Sequence, residues 1–215
     1  MSRGLAFGQM NKAQHPAAVR VAQGVAVAVL EMDAELMLRV RGGDISSFDM
    51  LLDKHRNSVV HFLFRMVQNQ AIAEELAQEV FLRVYRSRER YEPSAKFTTW
   101  LFRIATHLAL NWIRDGRAEK AQDSLDEEAM AGVGLQVPDT RPSMESWLVA
   151  QEKVAEIRQA IDRLPDKQKA AVLMHKYQEM EYSQIAKVLG CSESAVKSLL
   201  FRAYETLRSR LARYA

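Results

Sequence analysis

The sequence has little of what disulfide scaffolds, zinc clusters and membrane spans require. Its 215 residues include a single cysteine, Cys191, which excludes a disulfide framework and a multi-cysteine zinc site. A mostly apolar run, Val21 to Leu30, would cover only about half of a ~30 Å hydrocarbon core at ~1.5 Å per helical residue. Because 48% of the residues are nevertheless apolar, the chain is predicted to be a globular cytosolic protein without membrane insertion.

That apolar run resembles the central segment of a secretory signal peptide, but its surroundings argue against export. Gln23 interrupts the run, acidic residues follow it at Glu31 and Asp33, and no small-x-small cleavage site is correctly placed. We therefore interpret residues 1–32 as a mobile N-terminal extension, or as an over-long reading of the gene with Met32 as the true start.

Net charge is small, at +3, so its distribution is more informative than its sum. Two segments, from Arg83 to Arg103 and from Ser183 to the C-terminus, each contain six basic residues against two acidic ones. Between them, residues 121–145 contain six acidic residues against one arginine. Basic surfaces are typical of nucleic-acid binding, although a solvated helix face gives the same count.

Hydrophobic residues recur at helical spacing almost everywhere after Asp33, and no convincing strand alternation occurs. A short helix capped by Asp33 and three longer helices predict a first helical domain over residues 33–115. Residues 116–143 mix glycine, proline and acids without a period, which is typical of a linker. A second domain follows over residues 144–215. The predicted fold is all-α: two small helical domains joined by a flexible acidic linker.

The second domain ends in a pattern typical of a helix-turn-helix. Counted from Tyr182, the fifth, ninth, fifteenth and eighteenth positions are Ala186, Gly190, Val196 and Leu199. A small residue lets the helices cross closely, glycine permits a left-handed turn, and the two aliphatic residues join the helices. Ser192 can cap the second helix. The alternative is an ordinary helical hairpin with a solvated basic face.

In the first domain, the stretch from Tyr91 to Trp100 combines basic and aromatic residues. The helix that follows places a polar, mostly basic stripe on one side: Arg103, His107, Asn111 and Arg114. Exposed aromatics can stack on unpaired bases while cations follow the phosphates, so the arrangement suits a single strand or an extruded nucleotide. The alternative is that the aromatics are core residues. We favour this for Phe97, and Trp100 remains open between the two roles.

Two stretches of the chain resemble the two conserved domains of extracytoplasmic-function sigma factors of the sigma-70 family. The first is Ala73-Glu74-Glu75-Leu76-Ala77-Gln78-Glu79-Val80-Phe81-Leu82-Arg83-Val84-Tyr85 followed by Phe97-Thr98-Thr99-Trp100-Leu101-Phe102-Arg103-Ile104-Ala105. The second runs from Leu164 to Leu207 and includes Ser192-Glu193-Ser194-Ala195-Val196-Lys197-Ser198. The resemblance leaves the N-terminal extension and the linker uncovered.

The resemblance implies a non-enzymatic subunit of bacterial RNA polymerase that reads the −35 promoter element with its C-terminal domain and melts the −10 element with its first domain. The implied polymerase-binding residues are Glu75, Gln78, Glu79 and Arg83. The implied −10 residues are Tyr91, Ser94, Lys96, Thr98, Thr99, Trp100, Arg103, His107, Asn111 and Arg114. The implied −35 residues are Ser194, Lys197, Ser198, Phe201 and Arg202. The implied partners are the clamp helices and flap of core polymerase, double- and single-stranded promoter DNA, and an anti-sigma factor, with a monomer when free.

Two features qualify the resemblance, and two other classes of protein remain to be compared with it. The loop Pro93-Ser94-Ala95-Lys96 stands where a more glycine- and acid-rich segment is expected, and the extension has no recognisable counterpart. A stand-alone helix-turn-helix regulator would instead form a dimer that binds its operator tightly without polymerase. An enzyme is disfavoured, since the sequence contains no HExxH, glycine-rich phosphate loop or nucleophile elbow, and its histidines lack ligand spacing. No metal or cofactor is predicted.

Overall fold

The computed structural model describes residues 32–122 and 144–212, and these residues form helices connected by turns. The elements are α1 (residues 32–41), α2 (Ile45–Val67), α3 (Gln70–Arg86), a 3-10 turn (Arg88–Arg90), α4 (Phe97–Gln122), α5 (Met144–Asp162), α6 (Asp166–Tyr177), α7 (Tyr182–Leu189) and α8 (Glu193–Arg210). The all-α prediction is confirmed. Residues 1–31 of the predicted extension and residues 123–143 of the predicted linker lie outside the described residues.

The start of α2 is fixed by a residue that the sequence analysis did not single out. The Asp44 carboxylate accepts hydrogen bonds from the backbone N–H groups of Ser46 and Ser47, which are two of the unpaired donors of the first turn. Hydrogen bonds from Ser46 and Ser47 lower the pKa of Asp44 to about 2. The carboxylate is therefore ionised, and the cap is intact, throughout the physiological pH range.

Asp33, the predicted cap of the first helix, has a different role. Its side chain is buried and turns towards α2, where it accepts from Lys54 Nζ at 2.5 Å and pairs with His55 Nε2 at 3.0 Å. Burial alone would raise the pKa of Asp33, but the hydrogen bonds and charges of His55 and Lys54 outweigh that and lower it. The capping prediction is wrong, because the carboxylate serves as a tertiary tie between α1 and α2.

Helices α2, α3 and α4 enclose the core of the first domain. Phe97 and Leu101 are fully buried as predicted, and Phe62 packs edge-on against Phe102 with ring centroids 5.3 Å apart. Each such side chain stabilises the fold by about 1.5–3 kcal/mol through burial. The core thereby fixes the direction of α4, which carries seven of the ten predicted −10 residues; the other three lie in the segment before it.

The helix-turn-helix prediction is confirmed in the second domain. Gly190 has φ +62°, the left-handed conformation that ends α7, and Ser192 Oγ accepts from Ala195 N at 3.2 Å to cap α8. Val196 is fully buried between the helices, and Ala186 is almost so. The turn therefore holds α8 at a defined angle to α7, with one side of α8 facing away from the domain.

Two departures concern the junction of the domains. Helix α4 continues through Gly116 to Gln122, seven residues into the segment that the sequence analysis assigned to the linker from residue 116. In addition, α7 packs against α4, and α6 packs against α2. The two domains are thus in direct contact as well as joined through the linker.

Candidate nucleic-acid interface

The outer side of α8 presents all five predicted −35 residues to solvent: Ser194, Lys197, Ser198, Phe201 and Arg202. The opposite side of the helix is buried through Val196, Leu200 and Ala203. Phe201 is 67% exposed, which is unusual for a phenylalanine and leaves its ring free to contact a ligand. The exposed side therefore combines two cations, two hydroxyls and one aromatic ring on a single rigid helix.

A cavity of about 410 Å³ opens beside the first turn of α4. Its lining includes five predicted −10 residues, with others from the 3-10 turn, the loop and the second domain: Arg90, Tyr91, Glu92, Ser94, Ala95, Thr99, Trp100, Arg103 and Lys187. The volume falls in the range of small-ligand pockets, about 300–1,000 Å³. Aromatic, hydroxyl and cationic groups thus converge on a space that can accept a planar polar group.

The position of Trp100 is compatible with both roles that the sequence left open, a core residue and a ring for base stacking. It is half-buried and contacts Tyr91 and Phe97, with ring centroids at 5.0 Å and 5.9 Å, and it also lines the cavity. Tyr91 is 3% exposed, and its hydroxyl has no hydrogen-bond partner among the described residues. Burial, with a contribution from the Asp33 charge, raises the pKa of Tyr91. Tyr91 is therefore buried, although it lines the cavity, and its ring packs against that of Trp100.

Thr99 also departs from expectation. Its side chain is buried beneath α7, where Gln184 Nε2 donates to Thr99 Oγ1 at 3.4 Å. Lys96 is exposed and Thr98 half-buried, and neither lines the cavity. Lys187 does line it, although it belongs to the helix-turn-helix domain. The sequence analysis missed Lys187 because no local pattern links α7 to the start of α4.

The polar stripe on α4 is exposed along its whole length, as predicted: Arg103, His107, Asn111 and Arg114. Arg114 Nε donates to the adjacent Asp115 carboxylate at 3.0 Å, which partly offsets its charge. Partial burial and the positive charge of Arg103 lower the pKa of His107. The lowered pKa favours the neutral form of the histidine, so the positive charge of the stripe comes chiefly from Arg103 and Arg114.

The predicted polymerase-binding residues lie on the side of α3 away from the core. Glu75, Gln78 and Arg83 are exposed, and the partly covered Glu79 accepts from Arg83 Nε at 2.7 Å. Leu82 lies two helical turns beyond Glu75 on the same side and is 48% exposed. The sequence analysis counted only polar residues here. The structure adds an apolar contact point to the surface, as is usual at the centre of protein interfaces.

Comparison with protein families places both regions of the chain. The family description "Sigma-70 region 2" matches residues 51–119, which include the cavity loop and most of the first domain. The description "Sigma-70, region 4" matches residues 155–207, which include the helix-turn-helix.

Individual proteins are similar over most of the chain. The RNA polymerase sigma-H factor of Pseudomonas aeruginosa is 31% identical over 182 residues, which cover 84% of this chain and 94% of that protein. The ECF RNA polymerase sigma factor SigW of Bacillus subtilis is 31% identical over 177 residues, covering 80% and 93%. No helix in residues 32–122 and 144–212 is both long and apolar enough to cross a bilayer.

Two solved structures have a similar fold. CnrH, in complex with the cytosolic domain of CnrY, superposes with a TM-score of 0.64 at 17% identity, covering 86% of this chain and 99% of that one. The sigma factor RpoE of Bartonella quintana, in complex with the anti-sigma factor NepR, superposes with a TM-score of 0.61 at 20% identity, covering 77% of this chain and 96% of that one. At these identities the likeness shows the fold alone.

Proposed function

The chain belongs to the extracytoplasmic-function sigma factors of the sigma-70 family, and on that premise we propose how its surfaces divide the work of transcription initiation. Sigma factors of this kind bind core RNA polymerase and direct it to specific promoters, and so does this chain. The observation that carries the division of work is the presence of two unlike surfaces, the open side of α8 and the cavity beside α4. We place the activity in the cytoplasm, with binding rather than catalysis as its chemistry.

Helix α8 is the reader of the −35 element. A single helix fits the major groove of B-DNA, where Lys197 and Arg202 can donate to guanine or phosphate oxygens. Phe201 can pack on a thymine methyl group, and the two serines can donate to either strand. The buried opposite side of α8 supports this role, because it fixes the orientation of the side chains before DNA is bound.

The cavity beside α4 captures a base of the −10 element after it leaves the duplex. Melting costs ~1.4 kcal/mol per base-pair step, and stacking one base on an aromatic ring returns about 1–3 kcal/mol. Trp100 supplies the ring, Ser94 supplies a hydroxyl for base recognition, and Arg103 and Lys96 attract the phosphates on either side. The balance favours melting only when the factor is already held at the promoter.

Core polymerase provides that hold through the exposed side of α3, where Leu82 is surrounded by Glu75, Gln78 and Glu79. We propose that this surface binds the clamp helices and that the second domain contacts the flap. Joining both domains to one polymerase raises the effective concentration of each reading surface at its element. Neither domain then needs to bind DNA tightly alone, which agrees with a monomeric free factor.

An anti-sigma factor is a further proposed partner. The two solved structures described above are complexes, one with the cytosolic domain of CnrY and one with the anti-sigma factor NepR. The stand-alone regulator is not favoured, because the two matched regions stand in the order and over the length of whole sigma factors.

In vitro transcription with core polymerase and a library of genomic promoter fragments tests the function. We expect RNA from a small set of promoters that share two elements, and only when factor and core are both present. A factor that protects operator DNA as a dimer without core, and yields no specific transcript with it, would contradict the proposal.

A further inference from the structure

Helix α1 contacts the wall of the cavity beside α4, although none of the lining residues named above belongs to it. At the C-terminal end of α1, Arg41 Nη1 donates to the Tyr91 carbonyl at 3.2 Å, across 50 residues of chain. Tyr91 follows the 3-10 turn and begins the loop that leads to α4, and it lines the cavity. The loop is therefore attached to α1 at its first residue.

Hydrogen bonds hold this loop at its two ends. Within it, Ser94 N donates to the Glu92 carbonyl at 2.8 Å, which closes a tight turn but joins the loop to no other element. At the far end, the Lys96 carbonyl accepts from Thr99 N at 2.9 Å in the first turn of α4. The hydrogen bond to the Tyr91 carbonyl therefore secures the end of the loop that α4 does not hold.

The N-terminal end of α1 reaches the same aromatic residues by a second path. The Asp33 carboxylate pairs with His55 Nε2 at 3.0 Å, and the His55 ring packs against Phe97 with ring centroids 5.4 Å apart. Phe97 in turn contacts Tyr91 and Trp100, at 6.3 and 5.9 Å. The contribution of the Asp33 charge to the raised pKa of Tyr91 agrees with a phenol close to this end of α1.

Together, Asp33 and Arg41 support the aromatic cluster at two points. They stand eight positions apart, which is about 12 Å along the helix and about 80° around it. One contact fixes the backbone of Tyr91, and the other fixes the rings behind it. Trp100 packs on Tyr91 with ring centroids 5.0 Å apart, so its orientation depends on both contacts. Binding sites need such support, because their groups must be held within about 0.5 Å of the working geometry.

We propose that α1 positions the cavity beside α4 and that Arg41 is a positioning residue for promoter melting. Arg41 touches no base; it holds Tyr91, and through it Trp100, in the orientation that stacks on the captured base. The inference rests on the proposed function, since it concerns the cavity that captures the base. It adds an element to that function, because α1 lies before the residues matched to Sigma-70 region 2.

Three variants of the full chain separate the hydrogen bond from the charge. Arg41→Met removes the donor but keeps a good helix former with a long side chain. Arg41→Lys keeps a charged donor in nearly the same place and should behave as the wild type. Arg39→Met is the matched control, since it removes one positive charge from the same helix at an exposed residue that pairs with Glu35.

Acrylamide quenching of Trp100 fluorescence reports whether the indole is held in place, with Trp112→Phe and Trp147→Phe as the background. We expect the quenching constant to rise for Arg41→Met and to keep its wild-type value for Arg41→Lys and for the control. Equal quenching in all four proteins would overturn the support of the cavity by α1.

Permanganate reactivity of the −10 thymines in the holoenzyme complex measures the consequence for melting. Arg41→Met should lower open-complex formation about threefold to tenfold, the effect of one hydrogen bond, and leave the closed complex unchanged. Unchanged opening would overturn the proposal even if quenching rises. A loss that affects closed complexes equally and shrinks as salt rises would overturn it as well, by showing that Arg41 binds a phosphate directly.

Combination with Trp100→Ala distinguishes positioning from a general weakening of the first domain. If Arg41 acts through the indole, Arg41→Met should lower opening no further once Trp100 is replaced, because coupled residues are not additive. Additive losses would overturn the proposal, since they would show a route that does not pass through Trp100.

Arg41→Gln, whose amide is too short to reach the Tyr91 carbonyl, replaces Arg41→Met if that variant fails to fold, as judged by circular dichroism. The same results are expected from it. Because quenching is measured on the free factor, it does not depend on the proposed function. Absence of polymerase-dependent transcription by the wild type would refute that function and the melting role with it, whereas unchanged quenching would refute the support by α1 alone.

Discussion

The two surfaces that we propose to contact DNA are built in different ways. The α8 surface draws every side chain from one helix, whose orientation is set by a turn of a few residues around Gly190. The cavity beside α4 draws on a 3-10 turn, a loop, the start of α4 and, through Lys187, the other domain. A surface of the first kind is unchanged when the domains move. One of the second kind includes a side chain from the other domain, so its shape depends on how the two domains pack.

The largest expected effect comes from substitutions at two neighbouring residues of α8, one of which should affect folding and the other DNA binding. Leu200 is 2% exposed and Phe201 67% exposed. Leu200→Ala should lower the free energy of unfolding of the second domain by about 2–5 kcal/mol, because it leaves a cavity in the core. Phe201→Ala should change it by about 0.5 kcal/mol or less while reducing −35 binding. Thermal unfolding and promoter binding by the holoenzyme measure the two effects; similar unfolding for both variants would show that α8 is oriented otherwise.

The next effect concerns Arg202, the last of the five residues of the α8 surface. Arg202→Ala should weaken promoter binding by the holoenzyme by ~1–3 kcal/mol, as expected for loss of one specific base contact, with core affinity unchanged. Arg208→Ala is the control, since that arginine is exposed on the same helix but pairs with Glu205. Equal losses for both variants would indicate a general charge effect rather than groove reading.

Substitution of Trp100 in the cavity is expected to affect promoter melting but not the initial binding of the holoenzyme to duplex DNA. Trp100→Ala should lower open-complex formation by about 1–3 kcal/mol, the contribution of one stacked base, and leave the closed complex nearly intact. Permanganate reactivity of the −10 thymines measures opening, and a pre-melted template should restore it. Trp112→Ala, at a partly exposed site further along α4, should have no such effect.

Two further results would sharpen or refute the Trp100 assignment. Lys96→Ala should weaken binding to closed and pre-melted templates alike, with an effect that shrinks as salt rises, because it contributes through phosphate neutralisation. Loss of cooperative thermal unfolding in Trp100→Ala would show instead that the indole is chiefly a core residue supporting Tyr91.

The smallest expected effect is a loss of stability at acid pH in the first domain, where Asp33 is paired with Lys54 and His55. The pKa of Asp33 is below its unfolded value of 3.8, so its pairing with Lys54 and His55 stabilises the first domain fully above that pH. This stabilisation is lost as the pH falls through the lower, folded pKa. When unfolding of the full chain is measured between pH 6 and 3, the free energy of unfolding of the first domain should fall below about pH 4. Asp33→Asn should remove this fall. A fall of equal size in the variant would exclude Asp33 as its source.

Local patterns in the sequence were sufficient wherever one helix or one turn determines the outcome. Gly190, Ser192 and Val196 occupy the positions that the helix-turn-helix spacing predicts, and Phe97 is buried as its helical period requires. The prediction that Asp33 caps α1 was wrong because its carboxylate pairs with His55 of α2 instead.

The remaining features depend on contacts between distant parts of the chain. The burial of Thr99, the position of Lys187 and the hydrogen bond from the buried Lys169 to the Met66 carbonyl all arise where the domains meet. Helical periodicity assigns each of these residues to a side of its own helix but contains no information on which helix lies opposite. The extension of α4 past Gly116 was missed for a related reason, since Arg117 is joined there to Asp166. Glycine and nearby acids alone indicated a linker.

We expect both surfaces to act on one promoter only when the factor is bound to core polymerase. Nuclease and permanganate footprinting on a single promoter, with the factor alone, core alone and both together, tests it most directly. We expect protection of the −35 element and reactive −10 thymines with both proteins together, and neither with the factor alone or core alone. Strong −35 protection by the factor alone, unchanged on adding core, would contradict it.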